Sequence, residues 1–313
     1  IWIDSFSIRL STRMTEWIVS LEGTEAGNTF AMALAISAAF LHAVFGALQK
    51  GRHDPWLARG AIDFGYFTMA APVAFFILPW PEPALWPVFG WMFLIHLIYK
   101  LLQGLAYTRG AYTVVYPIVR GSAPIFAILG AFLMFGETLS AVQWGGVFVL
   151  LSGIFGLAIF NAFYLQAARE TLFSALLFAV PTGLFVALYT TYDAFGIRLA
   201  ENPMTFLVWF FVIDGVALPP FAYWRWKNMA IRPPVIPLLQ RGFIGGIVAF
   251  FSFGSIMLAT RLDKVGEAAI LRETSTVFAA IIGWYFLKET VGPWRVALMT
   301  LIAAGAVIVE IGS

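Results

Sequence analysis

Two arginines stand inside long apolar runs: Arg120 in "YPIVRGSAPIFAILGAFLMF" (116–135) and Arg272 in "AILRETSTVFAAIIGWYFL" (269–287). A charged side chain at the centre of a hydrocarbon layer costs about 2.5–3.5 kcal/mol on insertion scales, so each head must face protein, water or an anion. The planar guanidinium donates two hydrogen bonds at once and suits a carboxylate or phosphate. One reading is therefore a pair of anion-binding groups in a common cavity. The other is a pair of structural arginines, each tied to an internal carboxylate. Glu267 and Glu273 are near enough in sequence to partner Arg272, and Asp63 or Asp214 could partner either. Tyr112, Tyr116 and Arg120 are spaced by four and share a helix face, as do Lys264, Ala268 and Arg272.

Further polar residues recur at helical spacing. His96, Lys100 and Gln103 form one stripe, and His42, Gly46 and Gln49 another. Lipid offers such faces no partner, so they are expected to look inward; the alternative for Lys100 is that its head reaches the interface. Tyr189, Tyr192 and Asp193 either line a cavity or sit at the interface. Asp63 and Asp214 are intramembrane carboxylates, which invites proton coupling because burial favours the neutral form. The reading preferred for these two is structural, with Glu267 and Glu273 the better coupling or ion-pair candidates. His42 and His96 are too isolated to argue a metal site, and no nucleophile motif or nucleotide-binding loop is evident. No cofactor is expected, and no enzymatic activity.

These residues need a scaffold in lipid. Of the 313 residues, 61% are hydrophobic and only 12% charged, and mean hydropathy is +0.86. That much apolar surface calls for a membrane rather than water. Trp56, Trp80, Trp86, Trp224 and Trp226 fall at the ends of apolar runs, where interfacial aromatics belong. The net charge of +2 without a basic block excludes a nucleic-acid partner, and the absence of cysteine excludes disulfides and thiolate metal sites. Turn chemistry at "KGRHDP", "PWPEP", "TRG", "ENP", "RPP" and "VGP" cuts the chain into ten expected helices. They cover 28–49, 57–79, 86–108, 111–135, 140–161, 172–194, 203–224, 238–260, 263–287 and 293–311. Residues 1–27 are a leader without signal-peptide features, read either as a short interfacial helix or as a polar tail.

A shift of 152 residues lays Arg120 on Arg272, Thr108-Arg109 on Thr260-Arg261, Glu137-Thr138 on Glu289-Thr290 and Gly153 on Gly305; a shift of 151 lays Asp63 on Asp214. Five helices per half mean that the second half enters the membrane from the opposite side. The expected fold is thus an all-α membrane protein of ten transmembrane helices, built as inverted repeats 28–161 and 172–311. Such pairs recur in transporters, with the substrate near the midplane between them.

On these residues, with "YPIVRGSAPIF…GETLS" closing the fourth helix and "LRETSTVFAAIIGWYFLKET" the ninth, the chain resembles the drug/metabolite transporter superfamily and within it the EamA-domain family. The likeness covers about residues 28–311. It implies a secondary transporter, an exporter or exchanger working by alternating access, with a cavity lined mainly by the first, third, fourth, sixth, eighth and ninth helices. The solute expected from the arginines is a small polar metabolite with an acidic group. The rivals are a lipid-carrier flippase and a non-transporting scaffold subunit of a larger complex. The substrate-binding candidates are Arg120, Arg272, Tyr112, Tyr116, His96, Lys100, His42 and Tyr189. The expected partners are this small molecule and membrane lipid. Small residues at Gly145, Gly146, Gly153 and Gly156, and at Ala303, Ala304 and Gly305, serve either packing within one chain or a homodimer face. The expected location is the plasma membrane, as a multi-pass protein of a bacterial inner membrane. The loop lysines and arginines put both termini outside, whereas the resemblance implies both in the cytoplasm.

Overall fold

The computed structural model describes residues 2–49, 54–109, 112–164, 172–285 and 292–312, and among these helix is the only regular secondary structure. In chain order the helices are α1 (Trp2–Leu21), α2 (Glu25–Gln49), α3 (Pro55–Phe76), α4 (Leu85–Arg109), α5 (Tyr112–Phe135), α6 (Ala141–Tyr164) and α7 (Leu172–Leu199). They continue with α8 (Pro203–Asp214), α9 (Leu218–Lys227), α10 (Val235–Leu262), α11 (Val265–Arg272), α12 (Ser275–Tyr285) and α13 (Pro293–Ile311).

The helix ends follow local chemistry. Asp54 caps α3 by accepting from the N–H groups of Trp56 and Leu57, with Pro55 in the first turn, where no N–H is needed. Asn202 and Pro203 start α8 in the same way. Gly136, at φ 67°, ends α5. Its N–H donates to the Phe132 carbonyl, and that of Glu137 reaches back to Ala131, a closure that favours glycine at the left-handed position.

Two stretches read from the sequence as single helices are each broken. The run 203–224 divides into α8 and α9 around Gly215, just before Pro219 and Pro220, which cannot donate to a continuing ladder. The run 263–287 divides into α11 and α12 at Glu273-Thr274. Here the hydroxyls of Thr274 and Thr276 donate to the carbonyls of Leu271 and Glu273, competing with the helix for its own acceptors. The leader folds as α1, with Ile18 buried and Met14, Trp17 and Val19 exposed.

Seven stretches among the described residues are long and apolar enough to cross a membrane. Polarity is arranged for such a solvent. Phe76, Leu133, Phe148 and Ile236 are exposed, while Asp63, His96, Lys100, Arg120, Asp193, Asp214, Arg272 and Glu273 are at most 4% exposed. Charge inside and hydrocarbon outside is what lipid selects. This is a multi-pass, all-helical membrane protein.

Glycines let α6 and α13 pack backbone to backbone. A Cβ added at Gly153 would meet the backbone of Leu298 and Ile302, and one added at Gly305 the backbone of Gly146 and Leu150. Gly146, Gly153 and Gly305 are thus used inside the chain, whereas Gly145 faces open space. Elsewhere α2 lies along α10, α4 along α7 and α5 along α7, with α11 and α12 against α2.

Candidate functional site

Two charged clusters lie inside the bundle, with a cavity between helices beside them. The first is built on Lys100 of α4. Its Nζ lies 2.7 Å from Asp63 Oδ2 and 2.8 Å from Asp214 Oδ1. It also donates to the Asp214 carbonyl at 2.8 Å and to the Tyr66 hydroxyl at 3.2 Å. Asp63 accepts in addition from Arg59 Nε at 2.8 Å, and Asp214 from the Tyr66 hydroxyl. The side-chain head of Lys100 is therefore buried in a cage of acceptors rather than stretched to the interface. One helical turn before Lys100, His96 carries the network on. Its Nε2 is 2.9 Å from Asp193 Oδ2 of α7 and its Nδ1 is 3.5 Å from Asp214 Oδ1. The ring packs on Tyr189 and Phe210.

The second cluster holds Arg120 of α5. Its Nε lies 2.9 Å from Glu273 Oε2, and its terminal nitrogen donates to the Arg272 carbonyl at 3.0 Å and to Ser275 Oγ at 2.9 Å. Arg120 thus stitches the break between α11 and α12. Its guanidinium satisfies a carbonyl that the interrupted helix leaves open.

Arg272 is placed differently. Its terminal nitrogen donates to Thr190 Oγ1 at 3.3 Å. Its Nε has no hydrogen-bond partner among the described residues, and no carboxylate there lies within ion-pair distance of it. It lines a small cavity of about 10 Å³, room for roughly one water-sized group, with Tyr189, Thr190 and Asp193 of α7 and Phe253, Ile256, Met257 and Thr260 of α10. Asp193 Oδ1, on the same wall, is also without a partner among the described residues. A cavity with one apolar wall and a few convergent polar groups has the ordinary make-up of a small-molecule site.

The C-terminal ends of α7 and α10 are tied together next to this cavity. Arg198 donates to the carbonyls of Thr260 and Asp263, each at 2.8 Å, and pairs with Glu137 at 3.2 Å. Arg261 donates to the carbonyls of Ile197 and Ala200 and pairs with Glu22 at 2.6 Å. Glu137 also accepts from the Gly266 N–H at 3.2 Å.

Of the residues singled out from the sequence, Arg272 and Tyr189 line the cavity, and His96 adjoins it through Asp193. Arg120 is not among the lining residues. Lys100, Asp63 and Asp214 form one ion cluster, and Glu273 pairs with Arg120 rather than with Arg272. Glu267 accepts from Gln143 at 2.6 Å and Lys264 at 2.7 Å, away from either arginine. His42 stands beside Phe45 and Phe253. The side chains of Tyr112, Tyr116 and Gln49, and residues Glu289 and Thr290, lie outside the described residues. Sequence reasoning passed over Thr190, and read Asp193 either as cavity-lining or as interfacial without counting it among the substrate-binding candidates. The signal was there: Tyr189–Asp193 repeats on α7 the i, i+4 spacing of His96–Lys100 on α4. Among the described residues no group of three or more His, Asp or Glu is placed to hold a metal ion.

Comparison with known proteins adds a family to this geometry. Residues 173–311 match the EamA-like transporter family, a domain of the drug/metabolite transporter superfamily. No curated protein matches the chain. Among solved structures 29 chains match. One of them, titled only as the crystal structure of a protein, has a TM-score of 0.69 at 15% identity, covering 92% of this chain and 99% of its own. At that identity the likeness concerns the fold alone.

Proposed function

We propose that this chain, whose residues 173–311 are an EamA-like transporter domain, is a secondary active transporter of a small polar metabolite carrying an acidic group, working by alternating access. The observation that carries the reading is Arg272. It is a buried guanidinium that lines a cavity, has an unused donor, and has no carboxylate committed to it among the described residues. A carboxylate or phosphate of a solute is the partner its planar fork fits.

The architecture that goes with this reading is two inverted five-helix repeats, 28–161 and 172–311, in the plasma membrane, there the bacterial inner membrane. Reciprocal contacts at the sequence offset support it. Gly153 meets Leu298 and Ile302 where Gly305 meets Gly146 and Leu150, which is the same contact with the halves exchanged. Asp63 and Asp214 converge on one lysine, and Arg120 donates to the carbonyl of Arg272. These are the meetings expected where a pseudo-two-fold axis passes. The cavity is lined by α7, α10 and α11 of the second half and meets the first half through the contact of Asp193 with His96.

Flux through purified protein in sealed vesicles tests the proposal, with a panel of labelled small carboxylates and phosphorylated metabolites. A transported solute should be acidic. Arg272→Gln should raise its half-saturation concentration about ten- to a hundred-fold, the loss of one charge-assisted contact worth about 1.5–3 kcal/mol. Melting of the variant should fall less than that of Arg120→Gln, because Arg272 makes no direct ion pair among the described residues. Unchanged flux in Arg272→Gln would remove the arginine from the site.

A further inference from the structure

The charges around the cavity add up in a way that bears on energy coupling. In the Lys100 cluster and its extension there are three carboxylates, Asp63, Asp214 and Asp193, against two fixed cations, Arg59 and Lys100. Arg120 and Glu273 cancel each other as a pair. With His96 neutral, the remaining carboxylate is balanced among the described residues by Arg272, which lines the same cavity as Asp193. An anion bound to Arg272 would take that balance away. In a low-dielectric interior an uncompensated charge is costly, and one group is placed to restore neutrality. His96 lies between two carboxylates, hydrogen-bonded to Asp193 through Nε2 at 2.9 Å and with Nδ1 3.5 Å from Asp214 Oδ1, so a protonated ring would stand between two negative charges.

We propose that His96 is the binding site of a coupling proton, taken up together with the anionic solute that binds Arg272, so that the loaded cavity carries no net charge. This rests on the solute reading given above and specifies its partner ion and stoichiometry: one proton per monoanion, moving in the same direction. The placement suits an ion that must pass between the two sides. Asp193 stands six residues before the end of α7, near the Arg198 and Arg261 ties. Asp214 closes α8, about 17 Å along that helix from its start beside the same end. Asp63 and Arg59 lie in the first turns of α3, whose capping Asp54 pairs with Arg225 of α9 at 2.6 Å at the opposite end of the bundle. His96 is the member of this series whose ordinary proton affinity falls near neutral pH.

The charged and titratable groups around His96 are Lys100 and Tyr99 on its own helix, Asp193 and Tyr189 on α7, and Asp214 on α8. Tyr66, Asp63 and Arg59 follow on α3, and Arg272 on α11. The face of α10 here offers Phe253 and Thr260 and no ionisable group.

The test needs no knowledge of the solute. The chain has three histidines, so imidazole nitrogen resonances of labelled protein in lipid nanodiscs can be assigned by the signal lost in His96→Gln. His96 should show both the neutral and the doubly protonated ring signals across the pH series. Arg272→Gln mimics removal of the balancing charge, and should move the midpoint of that titration to higher pH by about one unit or more. Asp193→Asn, of nearly unchanged shape, should move it the other way. Both variants are checked for native melting before titration. A His96 that stays neutral throughout in all three proteins overturns the proposal, and leaves Asp193 to meet a cationic group of the solute itself. So does a midpoint indifferent to Arg272, even where anion flux through Arg272 is intact. Failure of the flux experiment with a midpoint that moves counts against the solute class and not against the proton site.

Discussion

Lys100→Met should fail to accumulate as folded protein, or melt far below the parent chain. The ammonium has three donors and four acceptors around it: Asp63, Asp214, the Asp214 carbonyl and the Tyr66 hydroxyl. Methionine fills the space and supplies none of the bonds. Asp63 would keep Arg59, and Asp214 would keep Tyr66 and His96, but two buried carboxylates would share one nearby fixed cation. Breaking a buried ion pair from one side costs about 3–5 kcal/mol, a large part of the roughly 5–15 kcal/mol that holds an ordinary domain together. The double variant Lys100→Met with Asp214→Asn removes a negative charge along with the positive one, and should recover much of the loss. Detergent-solubilised melting of the single and double variants measures it. A single variant as stable as the parent would mean that the cluster does not hold α3, α4 and α8 together.

Arg120→Met should be the second most damaging change, and should differ in kind from Arg272→Met. Removing Arg120 strands Glu273, which is 1% exposed, and leaves the Arg272 carbonyl and Ser275 without their donor at the α11–α12 break. The expected loss is again about 3–5 kcal/mol. Adding Glu273→Gln should return only part of it, because the carbonyl remains unserved. Arg272→Met breaks no direct ion pair among the described residues and should cost less stability while impairing transport. Equal effects of the two single variants on melting would show that the arginines do the same job.

That asymmetry marks where sequence reasoning ran out. The offset that pairs Arg120 with Arg272 is legible, because charges are rare in an apolar chain and their coincidence in one register stands out. Most membrane helices and their turns are legible from apolar length and from Pro, Gly and Asn at the breaks. What periodicity does not carry is which pseudo-equivalent residue is used structurally. Glu273 adjoins Arg272 in sequence, yet pairs with Arg120, because the helix break turns its carboxylate towards α5. Lys100 looked close enough to a helix end to reach water, but Asp63 and Asp214 arrive from α3 and α8 and enclose it. Likewise Asp193 acquires meaning only when α7 sets it against His96 of α4. Gly215 with Pro219 and Pro220 marks one break in plain sight, whereas the break at Glu273-Thr274 interrupts an apolar run whose composition gives little sign of it. Threonine hydroxyls competing for backbone carbonyls are a weaker signal than proline.

Alternating access requires that the cavity between α7, α10 and α11 open to each side of the membrane in turn. Thr190 is the place to probe it, since its hydroxyl touches Arg272 and cysteine is close to it in size. The chain has no cysteine of its own, so Thr190→Cys carries a single thiol. In sealed vesicles, a membrane-impermeant thiol reagent should label it when added outside, and also when trapped inside. Leu150→Cys, fully buried where α6 meets α13, should stay unlabelled in both. Labelling of Thr190→Cys from both sides is the result the account predicts; labelling from one side only, or from neither, would contradict it.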